Sequence, residues 1–392
     1  MNLCNVRSSK LIRDDFMSKK VKVLTVTAVL LAVFAVGAYF MHGYMNRKPV
    51  YTGYTTVKST DRADSKSASY AKFGDGFVRY SKDGIAYYNS DNTPQWNASY
   101  ELQIPTLDVR GDYCAAAGIG GSWVYVFNKS GAVMSVDTIL PIVGVSVAAN
   151  GCVAVILEDG NTQYIDMYDT TGEKAYRIKT SISGNGVPTD ISISDDAVKL
   201  MVAYSGIEEN EIGTSVIFYN FGEVGKNEAE RLVGGFDQYS GMLVPMVQFV
   251  TADTAIAAAT EKLSIYSITQ YPKLVADIVY EDELHGIFYS QQYIGLVLRN
   301  HEQGYPYRIE VYDIKGSRLG SCMIETDYKE YAFVKDNIFM YDDNDVRLLS
   351  FSGKERFRYT FETAIDSLVP VSGDDTYVYI NSRKVQKIRL TE

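Results

Sequence analysis

Acidic residues are the side chains of this sequence whose spacing first invites chemistry. The run Asp342-Asp343-Asn344-Asp345 sets four oxygen-bearing side chains side by side, and calcium collects six to eight oxygen ligands. The run has no glycine at its turn and no carboxylate at the spacing of a helix–loop–helix calcium site, so a solvated hairpin turn is the better reading. Asp190, Asp195 and Asp196 lie beside a predicted inner strand, where a quinone-dependent dehydrogenase would need central carboxylates. Acidic residues in such turns more often bond their own backbone. His42, His285 and His301 are isolated and give no zinc spacing. The patterns G-x-S-x-G, H-E-x-x-H, G-x-x-x-x-G-K-S/T and G-x-G-x-x-G are all missing. Gly118-Ile119-Gly120-Gly121 is apolar and precedes a strand that begins near Trp123, so it reads as a tight hairpin. No catalytic residue, metal ligand or cofactor site is nominated, and the expected class is non-enzymatic. Two carboxylates meeting across the fold, as glycosidases use, are the enzymatic arrangement left open.

Recognition chemistry is better represented. Two connections between predicted strands are long, residues 205–213 (SGIEENEIG) and 299–306 (RNHEQGYP), and insertions on one rim commonly build the binding surface of a repeat fold. Glu208, Glu209 and Glu211 make the first acidic. Arg299, His301, Tyr305 and Tyr307 offer hydrogen bonding and aromatic surface at the second, of the kind enriched in protein interfaces. The plain alternative is that both are solvated loops.

These loops need elements to carry them. Forty-six per cent hydrophobic content over 392 residues fills a sizeable core, and 31 Tyr, 16 Phe and 31 Gly against 9 Pro suggest short strands joined by tight turns. A unit recurs: a short apolar strand, a polar turn, and a second strand that ends in an aromatic followed by Asn, Asp or Ser. The aromatic markers stand at 88, 127, 168, 219, 266, 312 and 351, between 39 and 51 residues apart. The runs alternate and are too short for stable helices, while turns such as DTTGE and DIKGS supply a glycine for positive φ. Each unit reads as four strands, a to d. An eighth unit has strands near 377–380 and 384–390 but stops after its third strand. Closing eight sheets radially protects their faces; the missing strand must precede the first unit, and residues 51–57 are β-prone. The predicted fold is all-β, an eight-bladed β-propeller with seven blades as the alternative.

Charge places the domain. Residues 1–50 carry eight Lys/Arg and two Asp/Glu, a net +6, and the remainder carries 30 and 46, a net −16. So acidic a remainder disfavours nucleic acid as partner. Residues 23–41 have no charge and, extended to 45, span a hydrocarbon core of roughly 30 Å. Lysines and arginines crowd before this run and thin out after it, so the N-terminus is expected in the cytoplasm and the rest outside. A cleaved signal peptide is the competing reading, with Ala35-Val36-Gly37 as a rough small-x-small site, but the run exceeds the usual signal core. The expected organisation is a cytoplasmic tail (1–22), one transmembrane helix (23–45), a linker with a closing strand (46–69) and an extracytoplasmic propeller (70–392), a single-pass protein of the cell membrane. Cys4 is expected on the cytoplasmic side, which leaves an odd number outside, Cys114, Cys152 and Cys322; the first two enter runs of small apolar residues, so unpaired core thiols are the better reading than a disulfide.

The stretch 75–96, DGFVRYSKDGIAYYNSDNTPQW, resembles pyrroloquinoline-quinone-type propeller repeats, with Trp96 as the docking residue and Tyr176 and Phe357 in the equivalent place of other units. With the N-terminal anchor, the chain is similar to an uncharacterised family of membrane-anchored propellers of clostridial-type bacteria. That fold group includes quinone-dependent dehydrogenases, which implies catalysis, and the propeller lipoprotein of outer-membrane barrel assembly, which implies protein binding. The expected function is a membrane-tethered protein-binding or scaffold module for another cell-envelope protein. A sensor for a glycan or small ligand entering the central face is the alternative.

Overall fold

The computed structural model describes Phe34 and residues 49–62, 67–181, 186–208 and 211–392; Cys4 and, Phe34 apart, the predicted span at 23–45 lie outside them. Among the described residues no helix is long and apolar enough to cross a membrane. Tyr51–Glu392 forms one compact unit, built from eight four-stranded antiparallel sheets. Each sheet is one blade, with strand a on the axis and d outermost. Blade 1 runs Ser69–Phe73, Gly76–Ser81, Gly84–Tyr88 and Pro94–Ser99. Blade 8 takes a, b and c from Ser367–Ser372, Thr376–Ile380 and Lys384–Thr391, and its strand d is Gly53–Asp61, inside the stretch read as linker. Eight blades replace the seven-bladed alternative.

The repeat signature is turn chemistry. After strand c of blade 3 (Thr162–Tyr168), the Asp169 carboxylate accepts the amides of Thr171 (2.8 Å) and Glu173 (3.1 Å), and Gly172 follows at φ +84°. Asp313 does the same for Lys315 and Ser317, and Asn89 for Asp91 and Thr93. A small acceptor at the end of strand c and a residue tolerant of positive φ three positions later therefore recur because this turn needs both.

Eight hydrophobic clusters hold the fold, one at each blade-to-blade interface. In strand b of blade 3 (Val153–Asp159), Val153, Val155 and Leu157 pack toward blade 2, while Ala154 and Ile156 pack toward blade 4. Both faces are buried, so this strand reads as an unbroken apolar run. Trp96 docks across one interface: its ring stacks on Phe127 of blade 2 (5.3 Å) and its N–H donates to the Lys129 carbonyl (3.1 Å). Tyr176 packs similarly on Phe221, and Phe357 enters the cluster between blades 7 and 8. Cys114, Cys152 and Cys322 are free thiols, and burial pushes Cys114 up to about 12 and Cys322 to about 11.

Candidate interaction face

The a–b and c–d turns open on one face of the propeller and the b–c and d–a connections on the other. The a–b face is tied together by ion pairs and hydrogen bonds. Lys129 reaches Asp75 (3.3 Å) and Asp112 (3.1 Å), Lys199 reaches Asp253 (2.8 Å), Lys335 reaches Asp374 (3.1 Å), and the Tyr293 hydroxyl donates to Asp336 (2.9 Å). The chain also enters on this face, where the amides of Tyr51 and Thr52 donate to the carbonyls of Arg356 and Thr391.

The described parts of the two predicted rim connections lie on the opposite, b–c face. The connection at 205–213 is less a loop than an extension of blade 4: strands b (Lys199–Glu208) and c (Glu211–Asn220) stay paired through Ser205↔Thr214, Ile207↔Ile212 and Glu208↔Glu211. Glu209 and the side chains of Glu208 and Glu211 lie outside the described residues. The connection at 299–306 is a true loop, closed by Asn300 N–H to the Pro306 carbonyl (2.8 Å) and by Gly304 at φ +88°. Arg299 pairs with Glu283 (3.1 Å), exposed His301 stands 3.7 Å from Asp282, and Tyr305 is half-buried. Tyr307 differs from expectation: it is 7% exposed, packed under the His285 ring (4.4 Å) and bonded to Asp327 (3.1 Å). Its position inside strand c (Tyr307–Asp313) turns the ring into the blade, so it supports the loop.

A surface absent from the sequence reading lies at blades 2 and 3 on the same face. Ile104 is 63% exposed, Trp123 41%, Val143 43% and Ile139 86%. The glycine turn of blade 2 knits these connections together. Ile119 N–H donates to the Ile104 carbonyl, Gly120 N–H to Ile142, and Ile142 N–H to Gly121, each at 2.8–2.9 Å. Between residues 101–104 and 118–123 a groove of about 390 Å³ opens, lined by Leu102, Ile104, Ile119 and Trp123. Ile139 sits at φ +65°, a left-handed conformation that is an outlier for a β-branched residue. Its amide donates to the Asp137 carboxylate (3.0 Å), and the Thr138 hydroxyl lies within hydrogen-bond distance of the Ser122 and Leu140 carbonyls. A strained backbone thus holds a large apolar side chain in water.

The axis is polar. Asp108 on strand a of blade 2 (Pro105–Arg110) accepts the Val147 amide of blade 3 (2.7 Å), and Asp190 of blade 4 accepts the Val247 amide of blade 5 (2.8 Å). Ser146 and Ser192 accept the Ile193 and Phe249 amides in the same blade-to-next-blade sense. Arg110 pairs with Asp195, beside Tyr289 in a cavity of about 230 Å³. A second cavity, about 270 Å³, lies between the inner strands of blades 7, 8 and 1 and is lined by Tyr70, Lys72, Glu330 and Tyr331 among others. Asp196 caps its own turn, accepting the Val198 amide (3.0 Å), and the Asp342 carboxylate accepts the Asn344 and Asp345 amides of its hairpin. Among the described residues no three His, Cys, Asp or Glu side chains converge to hold a metal ion.

Burial pushes Asp190 up to about 6, against the bonds from the Val247 and Ile191 amides and with help from the Asp108 charge. A raised folded-state value means that this group's contribution is fully present below the unfolded value near 4 and is lost as pH rises through about 6. Asp190→Asn keeps an oxygen for the Val247 amide and removes the charge. At pH 7.5 the variant is expected to be more stable than wild type by about 1–3 kcal/mol, shrinking toward zero or reversing near pH 4. Urea unfolding of both proteins at pH 4.5, 6 and 7.5 checks it; a difference independent of pH counts against a buried charge on the axis.

Blades, closure and rim together define an eight-bladed β-propeller whose b–c face carries an open groove bordered by exposed Ile104 and Trp123. The chain belongs to the family of unknown function DUF5711, whose sequence profile matches residues 45–390. Among solved structures it is similar to BamB from Moraxella catarrhalis, at 13% identity over 86% of this chain and 98% of that one, with a TM-score of 0.52. It is also similar to Sqt1 from Chaetomium thermophilum, solved bound to the N-terminus of the ribosomal protein L10, at 13% identity over 83% and 92% of the two chains, with a TM-score of 0.49. These likenesses concern the fold. No curated protein matches the sequence significantly.

Proposed function

We propose that this protein is a non-enzymatic binding or scaffold module, held to the membrane through residues 23–45 with its propeller on the extracytoplasmic side, and that its b–c face holds another cell-envelope protein. The observation that carries the reading is the exposure of four large apolar side chains on the b–c face at blades 2 and 3, Ile104 and Trp123 lining the groove and Ile139 and Val143 at the next connection, with Ile139 kept in a left-handed conformation. Strain of this kind costs about 1–3 kcal/mol and gathers at functional sites, and contiguous exposed apolar surface marks interaction sites. The entry of the chain at Tyr51 on the a–b face supports it further, because the covalent tether and the groove are at opposite ends of the propeller.

The test is Ile139→Asn. Asparagine tolerates positive φ, and the isoleucine buries little, so the variant is expected to gain up to about 1 kcal/mol of stability while losing its partner. A photocrosslinking residue at Val143 reads the partner in intact cells: the adduct should vanish in Ile139→Asn and in Trp123→Ala, with melting temperatures at or above wild type for the first. Persistence of the adduct in both variants removes this face from the assignment. Arg299→Ala with Tyr305→Ala puts the blade 6 rim through the same assay, and protease treatment of protoplasts, which should spare residues 1–22, tests the membrane topology.

A second reading, a glycan or small-ligand sensor, is favoured by the axial cavity of about 270 Å³, where Tyr70 and Tyr331 accompany Lys72 and Glu330. It predicts ligand-induced thermal shifts that survive Ile139→Asn and disappear in Lys72→Ala.

A further inference from the structure

We propose that the blade 2 groove takes an extended segment of a partner protein in which a large apolar side chain is flanked by lysine or arginine. This rests on the b–c face being the binding face and adds the chemistry of what binds there. The groove is prearranged for an apolar anchor. Trp123 stacks on Tyr125 (5.8 Å), which stacks on Tyr100 (5.3 Å), so the exposed ring loses little freedom when covered. Leu102 lies buried at the groove and Ile104 and Ile119 flank it. Its volume falls within the range of ligand pockets. One wall is nearly bare of side chains: a Cβ at Gly120 would meet nothing within 4 Å, and one at Gly121 would meet only the Gly118 carbonyl group. Gly120 also needs its own residue type, at φ +77°. A partner's backbone can therefore approach the wall closely, which suits an extended segment.

Charge selects the occupant. The connections around the groove, residues 82–83, 100–104, 118–122, 137–141 and 158–161, carry five exposed carboxylates, Asp83, Glu101, Asp137, Glu158 and Asp159, against one basic residue, Lys82. They are held against the apolar residues by the backbone: Leu102 N–H donates to the Lys82 carbonyl, Tyr100 N–H to Asp83, and Glu158 N–H to Pro141. An apolar anchor with cationic flanks satisfies both parts at once, whereas an acidic flank meets like charge. The same carboxylates disfavour an anionic membrane surface as the occupant.

The experiment uses the full chain in detergent and three fluorescent peptides that share a Leu-Phe-Leu centre and carry four Lys, four Ser or four Glu flanking residues. Fluorescence anisotropy is expected to show the Lys-flanked peptide binding at least tenfold tighter than the Glu-flanked one, weakening in 0.5 M salt. Trp123→Ala should abolish binding. Glu101→Gln with Asp159→Asn should weaken the Lys-flanked peptide three- to tenfold and leave the Ser-flanked one unchanged. Glu173→Gln with Glu223→Gln, the same charge change on the a–b face, should leave both unchanged; an equal loss there means that net charge alone is at work and overturns the proposal. It is overturned equally if the Lys- and Ser-flanked peptides bind alike, if none of the three binds up to 1 mM, or if Trp123 is instead needed for co-sedimentation with phosphatidylglycerol vesicles. The Val143 crosslink answers separately for the face itself, so its persistence in both Trp123→Ala and Ile139→Asn defeats the binding-face reading, while peptide failure with loss of the crosslink defeats only the cationic segment.

Discussion

Deletion of Gly53–Asp61 is expected to leave a protein that aggregates or melts far below wild type. This strand pairs antiparallel with Lys384–Thr391 from Gly53↔Thr391 to Asp61↔Lys384, with one bulge between Thr56 and Lys58. Most of its side chains are exposed, so its contribution is chiefly backbone hydrogen bonding. At about 0.5–1.5 kcal/mol net for each bond, the ladder supplies on the order of 4 kcal/mol or more, a large part of an ordinary domain's stability. Its loss also bares the outer edge of Lys384–Thr391, a template for pairing between molecules. Tyr54 adds ring contacts to Tyr359 (5.1 Å) and Phe361 (5.2 Å) of blade 7. A control with the backbone kept, Thr55→Ser, Thr56→Ser and Val57→Thr together, should melt within a few degrees of wild type. Equal melting of the deletion variant would mean that blade 8 stands on three strands.

The reason this closure could be anticipated is that the repeat is written in turn chemistry. An acceptor such as Asp169, Asp313 or Asn89 after an aromatic is a local requirement, visible without knowing the partner blade. Seven strands c fall within a few residues of their predicted positions, and a unit that ends at strand c leaves one vacancy to be filled from the N-terminus. The long interval in blade 4 has equally local causes. Its strands b and c reach ten residues each, and the short 3-10 turns at Val224–Asn227 and Ala229–Arg231 lengthen the path to strand d and so the next interval, from 219 to 266.

The groove was not legible, for a physical reason. An apolar residue beside a strand is read as core, and Ile104, Trp123, Ile139 and Val143 all border strands. Only the register of turns between neighbouring blades turns them outward. The one local clue is Asp137-Thr138-Ile139, where an Asp-initiated turn demands positive φ at a residue that is neither glycine nor asparagine. Conversely, chain length alone distinguishes the connections at 205–213 and 299–306 in the sequence. Length separates neither a paired hairpin from an open loop nor a buried Tyr307 from a half-buried Tyr305.

Asp166→Ala is expected to cost about 2–4 kcal/mol, the largest effect of a single substitution away from the closure. Asp166 is fully buried on strand c of blade 3 and accepts from Arg177 Nε and Nη2 (both 2.6 Å), Lys174 (3.2 Å) and the Tyr168 hydroxyl (3.1 Å). Burial pushes its carboxyl up, but the bonds from Arg177 and Lys174 outweigh burial and hold it below the ordinary range. Removing one partner of a buried pair typically costs 3–5 kcal/mol; Arg177 and Lys174 remain partly exposed and can turn to water, which lowers the figure. The lost stability is present above the unfolded value near 4 and disappears as pH falls through the folded value. The gap between wild type and Asp166→Ala should therefore be widest near pH 7 and narrow as pH falls below the ordinary carboxylate range. Asp166→Leu with Arg177→Leu removes both sides of the pair and should cost less than Asp166→Ala alone. Urea unfolding across this pH range reads both comparisons, and a double variant less stable than the single one would mean that Arg177 stabilises the blade through contacts other than Asp166, such as its guanidinium over the Tyr164 ring (4.5 Å).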